Sequence, residues 1–461
     1  MLSSHAAELA LGAALSTGGD FSEIFWEDTR TNNLQLLDGK IDTATTCRSH
    51  GAGLRVFKGL SSVYVYTNDT SADGLLRAAD QAAAAIGSSR AQAGDVRLMG
   101  SRAANAHPIE ELPGYVDGAR KAKLLRDAGA TARAADACIK QVQATLRDVD
   151  SDIAVYNSEG LFISDRRTYT RIAVMAVAAG EGESQVGYEG PGAMMGYELF
   201  RTRVDVEQVA RQAAQTAALM LRAQQCPAGV MPVAIEGGFG GVIFHEACGH
   251  SLEAAAVALG NSEFCGKLGQ RIASDAVTAI DDGTLPGEWG SINIDDEGTP
   301  SGRLVLIEKG ILKNYMIDRL NARRMNMPVT GSGRRQSYQF APTSRMRNTY
   351  IAPGESTDEE IISTMGDGLY ARRMGGGSVN PATGEFNFSV SEGYLVRDGK
   401  IDRPVRGATL IGKGGQVLMK IDKVGRNLAM AQGMCGASSG SIPVNVGQPM
   451  IRVSEMTVGG R

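Results

Sequence analysis

The segment His245-Glu246-Ala247-Cys248-Gly249-His250 places two imidazoles and a carboxylate within one short stretch of chain. Those are the parts of a hydrolytic metal site. A catalytic zinc takes three protein ligands and keeps a fourth position for water, whose pKa it lowers towards neutrality, while a neighbouring carboxylate acts as base. In the familiar HExxH arrangement the histidines lie four apart and share a helix face. Here they lie five apart, and on an ideal α-helix the two side chains diverge by roughly 140°, too far to converge on one ion. A π-type turn brings positions i and i+5 nearly over one another and recurs at functional sites; Gly249 offers a place for that irregularity. The alternative is a pair of helix histidines satisfied by backbone or water. For the third ligand, Glu253 follows His250 by three residues and on a continuous helix would lie roughly 80° from His245. It reads equally well as an exposed helix acid. Cys248 points away from His250 and reads as a small packing residue, which leaves the distant cysteines as further candidates, because thiolate is an excellent zinc ligand.

The elements that must position this segment are mixed. A strand is expected over 230–235, followed by the glycine cluster Gly237-Gly238-Phe239-Gly240-Gly241 and the helix that carries the histidines. Beyond it, short β segments at 303–308, 394–397 and 444–446 are divided by Gly and Asp turns, with one helix near 414–421. Before it, Cys226-Pro227-Ala228-Gly229 ends a helical pattern over 204–225, since proline cannot continue the ladder, and a domain boundary is placed there. The N-terminal part reads as a helix over 4–15, alternating strands at 23–28, 33–37, 41–47, 53–57 and 61–66, and an Ala-rich helix over 71–86 with Thr70 and Ser71 as caps. Asp38-Gly39 and Lys58-Gly59 suit hairpin turns. A Gly/Ser/Ala-rich passage near 87–94 precedes helices over 113–146, and further strands are expected at 152–164 and 169–177. The fold class is therefore α+β: an N-terminal mixed domain with an antiparallel sheet, residues 1–225, and a β-rich C-terminal domain, residues 226–461, with a closed or strongly curved sheet carrying the metal-site helix.

Composition narrows the function. At 461 residues the chain is long enough for two domains, and 43% hydrophobic with 21% charged residues is the balance of a globular protein. A net charge of -4 without a Lys/Arg run supplies no footprint for a polyphosphate backbone, so nucleic acid is not an expected partner. No Lys or Arg precedes Arg30 and Glu8 interrupts the first apolar stretch, so a signal peptide is not expected; nor does any segment approach the roughly 18 apolar residues of a membrane span. The expected location is the cytoplasm. Six scattered cysteines without a CxxC pair do not read as a disulfide framework.

Several blocks, in order, carry a resemblance. They are the helix text from His245 to Ala254, Asn261-Ser262-Glu263-Phe264 with Gly266-Lys267, Ile294-Asp295-Asp296-Glu297-Gly298-Thr299-Pro300, and Gly333-Arg334-Arg335. Arg345-Met346-Arg347-Asn348-Thr349-Tyr350, 384–392 leading into Gly393-Tyr394, Met434-Cys435-Gly436 and Val444-Asn445-Val446-Gly447-Gln448-Pro449 complete them. Over nearly its whole length the chain resembles the TldD/PmbA metallopeptidases, specifically the metal-bearing TldD branch. The resemblance implies one zinc per chain held by His245, His250 and Cys435, with Glu246 as general base, in a site closed by the C-terminal domain folding back. It also implies short or unfolded peptides as substrates reached through an enclosed chamber, and a homodimer or a heterodimer with a metal-free PmbA/TldE-like partner. The rival reading is a non-catalytic subunit that binds or matures peptides around a structural zinc. Ser251 and Ala254-Ala255-Ala256 depart from the family's usual text; they leave the proposed ligands untouched and bear on pocket shape. Arg334 and Arg335 either bind a peptide carboxylate or fix the site wall, or else belong to a solvated loop or a structural ion pair, and the acidic turn Asp295-Asp296-Glu297 is expected to be a helix cap or a solvated loop outside the site.

Overall fold

The structure, a computed structural model, describes residues 1–87, 95–380 and 383–460. Most of the Gly/Ser/Ala-rich passage near 87–94 lies outside the described residues.

The N-terminal half is built on an eight-stranded sheet, ordered Ser61–Thr67, Lys40–Lys58, Phe21–Leu37, Ile139–Asn157, Leu161–Gly180 and Met99–Arg102, with Glu183–Glu189 and Gly192–Ala193 also pairing with Leu161–Gly180. The short strands expected between 23 and 57 fuse into two long ones. The Asp38-Gly39 turn between them takes positive φ at both residues (45° and 83°), as a two-residue hairpin matched to strand twist requires. Four helices cover the sheet at its two ends. Ser4–Ala14 and Ala72–Ile86, each capped by a serine side chain, pack small alanine faces on Ile24, Trp26, Leu54 and Val56. Gly118–Ala134 and Val206–Arg222 lie over Leu36, Ala144, Leu146, Ile172 and Val174.

Two expectations fail here. The helical reading of 113–146 holds only to Ala134, because residues from Ile139 onward form a strand. Lys, Gln, Ala and Leu in that stretch favour a helix locally, but the strand is paired on both sides, with Phe21–Leu37 and Leu161–Gly180, and tertiary pairing overrides propensity. The strand expected over 152–164 is likewise interrupted by a hairpin turn at 158–160, where Gly160 takes φ 93°.

The C-terminal half holds two larger sheets. In one, Gly368–Val379, Gly229–Ile235, Ile451–Gly459, Thr409–Lys413 and Glu385–Arg397 pair in turn, and Glu385–Arg397 pairs again with Gly368–Val379, so the sheet closes on itself. Closure leaves these strands no free edge within the ring and fills its interior with Val233, Leu369, Leu410 and Val453. The other, six-stranded sheet runs Ile311–Leu312, Arg303–Glu308, Ala279–Asp282, Asn348–Ile351, Gly440–Gln448 and Ala429–Ala437, the last at its edge. Among the described residues no helix is long and apolar enough to cross a membrane.

Charges buried at the junction of the two halves join them. The acidic turn Asp295-Asp296-Glu297 is neither a helix cap nor a solvated loop: all three side chains are buried. Arg55 donates to Glu23 (3.0 Å) and Glu297 (2.6 Å), Arg335 to Glu23 (2.7 Å) and Arg167 to Asp296 (2.7 Å). Burial opposes ionisation of Glu23, but Arg55 and Arg335 outweigh it and hold the carboxyl below its usual range. Replacing one member of such a network strands its partners without compensation. Arg55→Met is expected to lower unfolding free energy by about 3–5 kcal/mol, read from the denaturant midpoint at unchanged slope.

Candidate metal centre

The strand Gly229–Ile235 delivers the chain into the glycine cluster, and the glycines set how close the next element can come. A Cβ on Gly241 would lie 2.6 Å from the backbone nitrogen of Gly447, so the helix start sits directly on the strand Gly440–Gln448. One α turn, Val242–Phe244, is followed by a π turn over His245–Gly249, in which the N–H of His250 donates to the carbonyl of His245, and then by a 3-10 turn over His250–Leu252. The wider turn supplies the convergence that an α-helix denies. The two imidazole centroids lie 5.1 Å apart with planes at 83°. Gly249 itself has ordinary helical dihedrals, φ -53° and ψ -52°; its reason for being glycine is Met346, whose sulfur occupies the space a Cβ would take.

Cys435 arrives from elsewhere. It lies on the edge strand Ala429–Ala437, and its Sγ is 3.3 Å from His250 Nε2, across 185 residues of sequence. One nitrogen from each histidine and the Cys435 sulfur all lie within 4.8 Å of one another. His245 and Cys435 are buried and His250 nearly so, and Nδ1 of His245 is buried without a hydrogen-bond partner. Burial would push the Cys435 thiol up, but the charge and hydrogen bonds of His245 and His250 outweigh it and bring the thiol down to about 4. Burial pushes the other way at Cys248, whose thiol is raised well above its usual range and which packs in the apolar core. Two imidazoles and a thiolate-prone sulfur within 4.8 Å of one another are a donor set that fits zinc.

Around these three atoms the other residues divide by exposure. Glu246 is the most open member, its side chain 30% exposed and its Oε2 3.7 Å from His250 Nε2. Glu253 does not continue the helix: its backbone is extended (φ -73°, ψ 128°), and its Oε2 meets Nδ1 of His250 at 3.1 Å, on the ring edge away from Cys435. The same-helix geometry expected for it is therefore absent. Arg334 and Arg335 are both buried; Arg335 belongs to the ion network with Glu23, and Arg334 donates to the Met346 carbonyl (2.7 Å), with burial lowering its guanidinium to about 10. Two residues that sequence reasoning left without a role hold the strand bearing Cys435. Arg345 donates to the Cys435 carbonyl, and Trp289 Nε1 donates to the Gly433 carbonyl at 3.0 Å. Only a buried arginine between Ser344 and Met346 could have marked the first, and nothing local marks the second.

The chain is thus α+β with a closed C-terminal sheet, and two histidines from a π turn meet a cysteine from an edge strand in a cluster that could hold a metal ion. Three family models match in series: PmbA/TldA metallopeptidase domain 1 at residues 22–86, the PmbA/TldA metallopeptidase central domain at 111–221 and the PmbA/TldA metallopeptidase C-terminal domain at 228–460. A protein named metalloprotease TldD homolog from Buchnera aphidicola is 36% identical, covering 96% of this chain and 93% of its own. A zinc metalloprotease TldD homolog from Saccharolobus solfataricus is 31% identical over 66% of this chain and 68% of its own. Among solved structures, TldE from Thermococcus kodakarensis shares the fold with a TM-score of 0.74 at 18% identity, covering 96% of this chain and 97% of that one. The chain belongs to the PmbA/TldD metallopeptidase family, on its TldD branch.

The convergence of Cys435 on the histidines generates a direct test. Cys435→Ser exchanges a thiolate for a neutral hydroxyl, a much poorer zinc donor, and zinc per chain after dialysis against a weak chelator is expected to fall steeply. Cys47→Ser, Cys138→Ser and Cys226→Ser are expected to keep their zinc, and thermal melting separates loss of a ligand from loss of the fold.

Proposed function

We propose that this chain is a zinc-dependent peptidase that hydrolyses short or unfolded peptides, with His245, His250 and Cys435 holding one zinc per chain and Glu246 acting as general base. The observation that carries this reading is the position of Glu246: a partly exposed carboxylate beside a three-donor cluster, 3.7 Å from a ring nitrogen of His250. A structural zinc is normally closed by four protein ligands, whereas among the described residues three donors converge here. That difference favours a catalytic centre over a subunit that only binds or matures peptides.

When bound, zinc supplies Lewis acidity, making water a nucleophile near neutral pH and polarising an amide carbonyl. Glu246 takes a proton from the attacking water and returns it to the leaving amine nitrogen, so that one carboxylate serves as base and then as acid. Cys435 and the two imidazoles keep their places because the π turn and the edge strand are each locked by packing. Among the described residues the strand Ala429–Ala437 pairs with one strand, Gly440–Gln448, so its outer edge offers an extended peptide main-chain groups beyond the Gly433 and Cys435 carbonyls held by Trp289 and Arg345, and Met434 stands exposed beside Cys435. An extended segment can lie along that edge; a folded domain cannot bring its backbone so close. This supports short or unfolded peptides as the substrate class.

The expected working unit is a dimer that encloses the site, either of this chain alone or with a metal-free PmbA/TldE-like partner. The proposed location is the cytoplasm. Glu246→Gln is expected to keep its zinc and lose peptide hydrolysis by about 10²–10⁴-fold, because the amide fills the same volume without accepting the proton. The assay is digestion of an unfolded peptide, with and without chelator, beside a zinc determination. Full activity at full occupancy overturns the assignment of Glu246, and activity that survives complete zinc removal overturns the metallopeptidase reading.

A further inference from the structure

We infer that Glu253 is a positioning residue that fixes the tautomer and angle of His250, and that Arg345 holds both Glu253 and the strand bearing Cys435, so that one buried arginine ties together the two halves of the metal centre. The inference rests on His250 as a metal ligand, as proposed above.

Glu253 Oε2 lies 3.1 Å from Nδ1 of His250, while Nε2 of the same ring lies 3.3 Å from the Cys435 sulfur. An ionised carboxylate only accepts hydrogen bonds. The proton of the neutral imidazole is therefore placed on Nδ1, and Nε2 keeps its lone pair on the side where the three donors converge. Glu253 does not owe its position to the histidine. Its extended backbone leaves the 3-10 turn and bridges to Met316, and the next amide, Ala254 N–H, donates to the Met316 carbonyl at 2.8 Å. The carboxylate is thus set by the fold before any ligand arrives.

Its second oxygen points to Arg345. Glu253 Oε1 and Arg345 Nε are both buried without a hydrogen-bond partner and stand 3.8 Å apart, each the other's nearest compensation. The remaining nitrogens of Arg345 are committed to the hairpin that carries Cys435: Nη1 donates to Ser439 Oγ and to the Gly440 carbonyl, both at 2.9 Å, and Nη2 donates to the Cys435 carbonyl. Helix and hairpin are thereby referenced to a single planar cation with no freedom to turn. Arginine suits this role because its fork presents donors in fixed directions.

The experiment uses the full chain and two readouts. The first is zinc affinity by competition with a chromophoric chelator, and the second is the ¹⁵N spectrum of the imidazoles, which reports the tautomer of each ring; five histidines make assignment by single substitution practical. Wild type is expected to show His250 protonated at Nδ1, with Nε2 metal-bound in the zinc-loaded protein and bare in the metal-free protein at a pH where the ring is neutral. In Glu253→Ala, zinc affinity is expected to fall by about 10–100-fold and the His250 signals of the metal-free protein, at a pH where the ring is neutral, to shift towards a mixture of tautomers. Glu253→Asp is expected to recover part of the affinity. A carboxylate that only supported the fold would lower the melting temperature and leave the His250 pattern unchanged in molecules that fold. If Glu253→Ala does not fold, the isosteric Glu253→Gln carries the test, and either folded variant with wild-type affinity and the wild-type His250 pattern overturns the inference. Wild-type protein that binds no zinc overturns the metal reading beneath it, a result distinguishable from failure at Glu253 alone.

Discussion

The hydrogen bond from the His250 N–H to the His245 carbonyl is the constraint on which the rest of the site depends. It widens one turn of helix and turns a divergent pair of side chains into a facing pair. A π turn is rarer than an α turn and has to be imposed by its surroundings. Here the imposition is steric. The turn begins with Gly241 against the backbone of Gly447, Gly249 passes beneath the Met346 sulfur, and the backbone of Gly414 leaves no space for a Cβ beside the Ala247 carbonyl. Packed on three sides by backbone and core side chains, the segment is held in the wider turn.

The same logic of imposed position runs through the junction of the two halves. Glu23 and Arg55 come from the N-terminal sheet, while Glu297 and Arg335 come from loops of the C-terminal half, and all four are buried. Arg335 also lies over the Phe25 ring at 4.4 Å. Charges removed from water in this way are satisfied in one relative placement of the two halves and unpaired in others, so the network contributes specificity of docking more than net stability. The segment from 294 to 347 that supplies Glu297 and Arg335 also supplies Arg345, which links the frame of the junction to that of the metal centre.

Much of this was legible in the sequence, and the boundary of legibility is physical. The π turn follows from the spacing of His245 and His250 once both are required to meet, and the hairpin at Asp38-Gly39 follows from turn chemistry. The closed sheet was expected from short, glycine-divided strands. What could not be read locally are the contacts set by distant pairing: the strand from Ile139, whose residues favour helix, and the place of Cys435, which periodicity does not mark and only the family resemblance implied. The acidic turn misled in the opposite sense, since three consecutive carboxylates look solvated unless their arginines, far away in sequence, are known. Glu253 shares a helix face with the histidines only on a continuous helix, and its extended backbone ends the helix instead.

The distance along the chain between His250 and Cys435 has a consequence for the order in which the molecule is made. A ribosome releases the two histidines long before the strand bearing Cys435 emerges, and the strand Ile451–Gly459, which closes the C-terminal sheet, follows later still. A growing chain therefore holds an incomplete set of donors, and contacts of such long range form only after the intervening loops have been closed. The centre cannot assemble on a prematurely terminated chain that ends before residue 435.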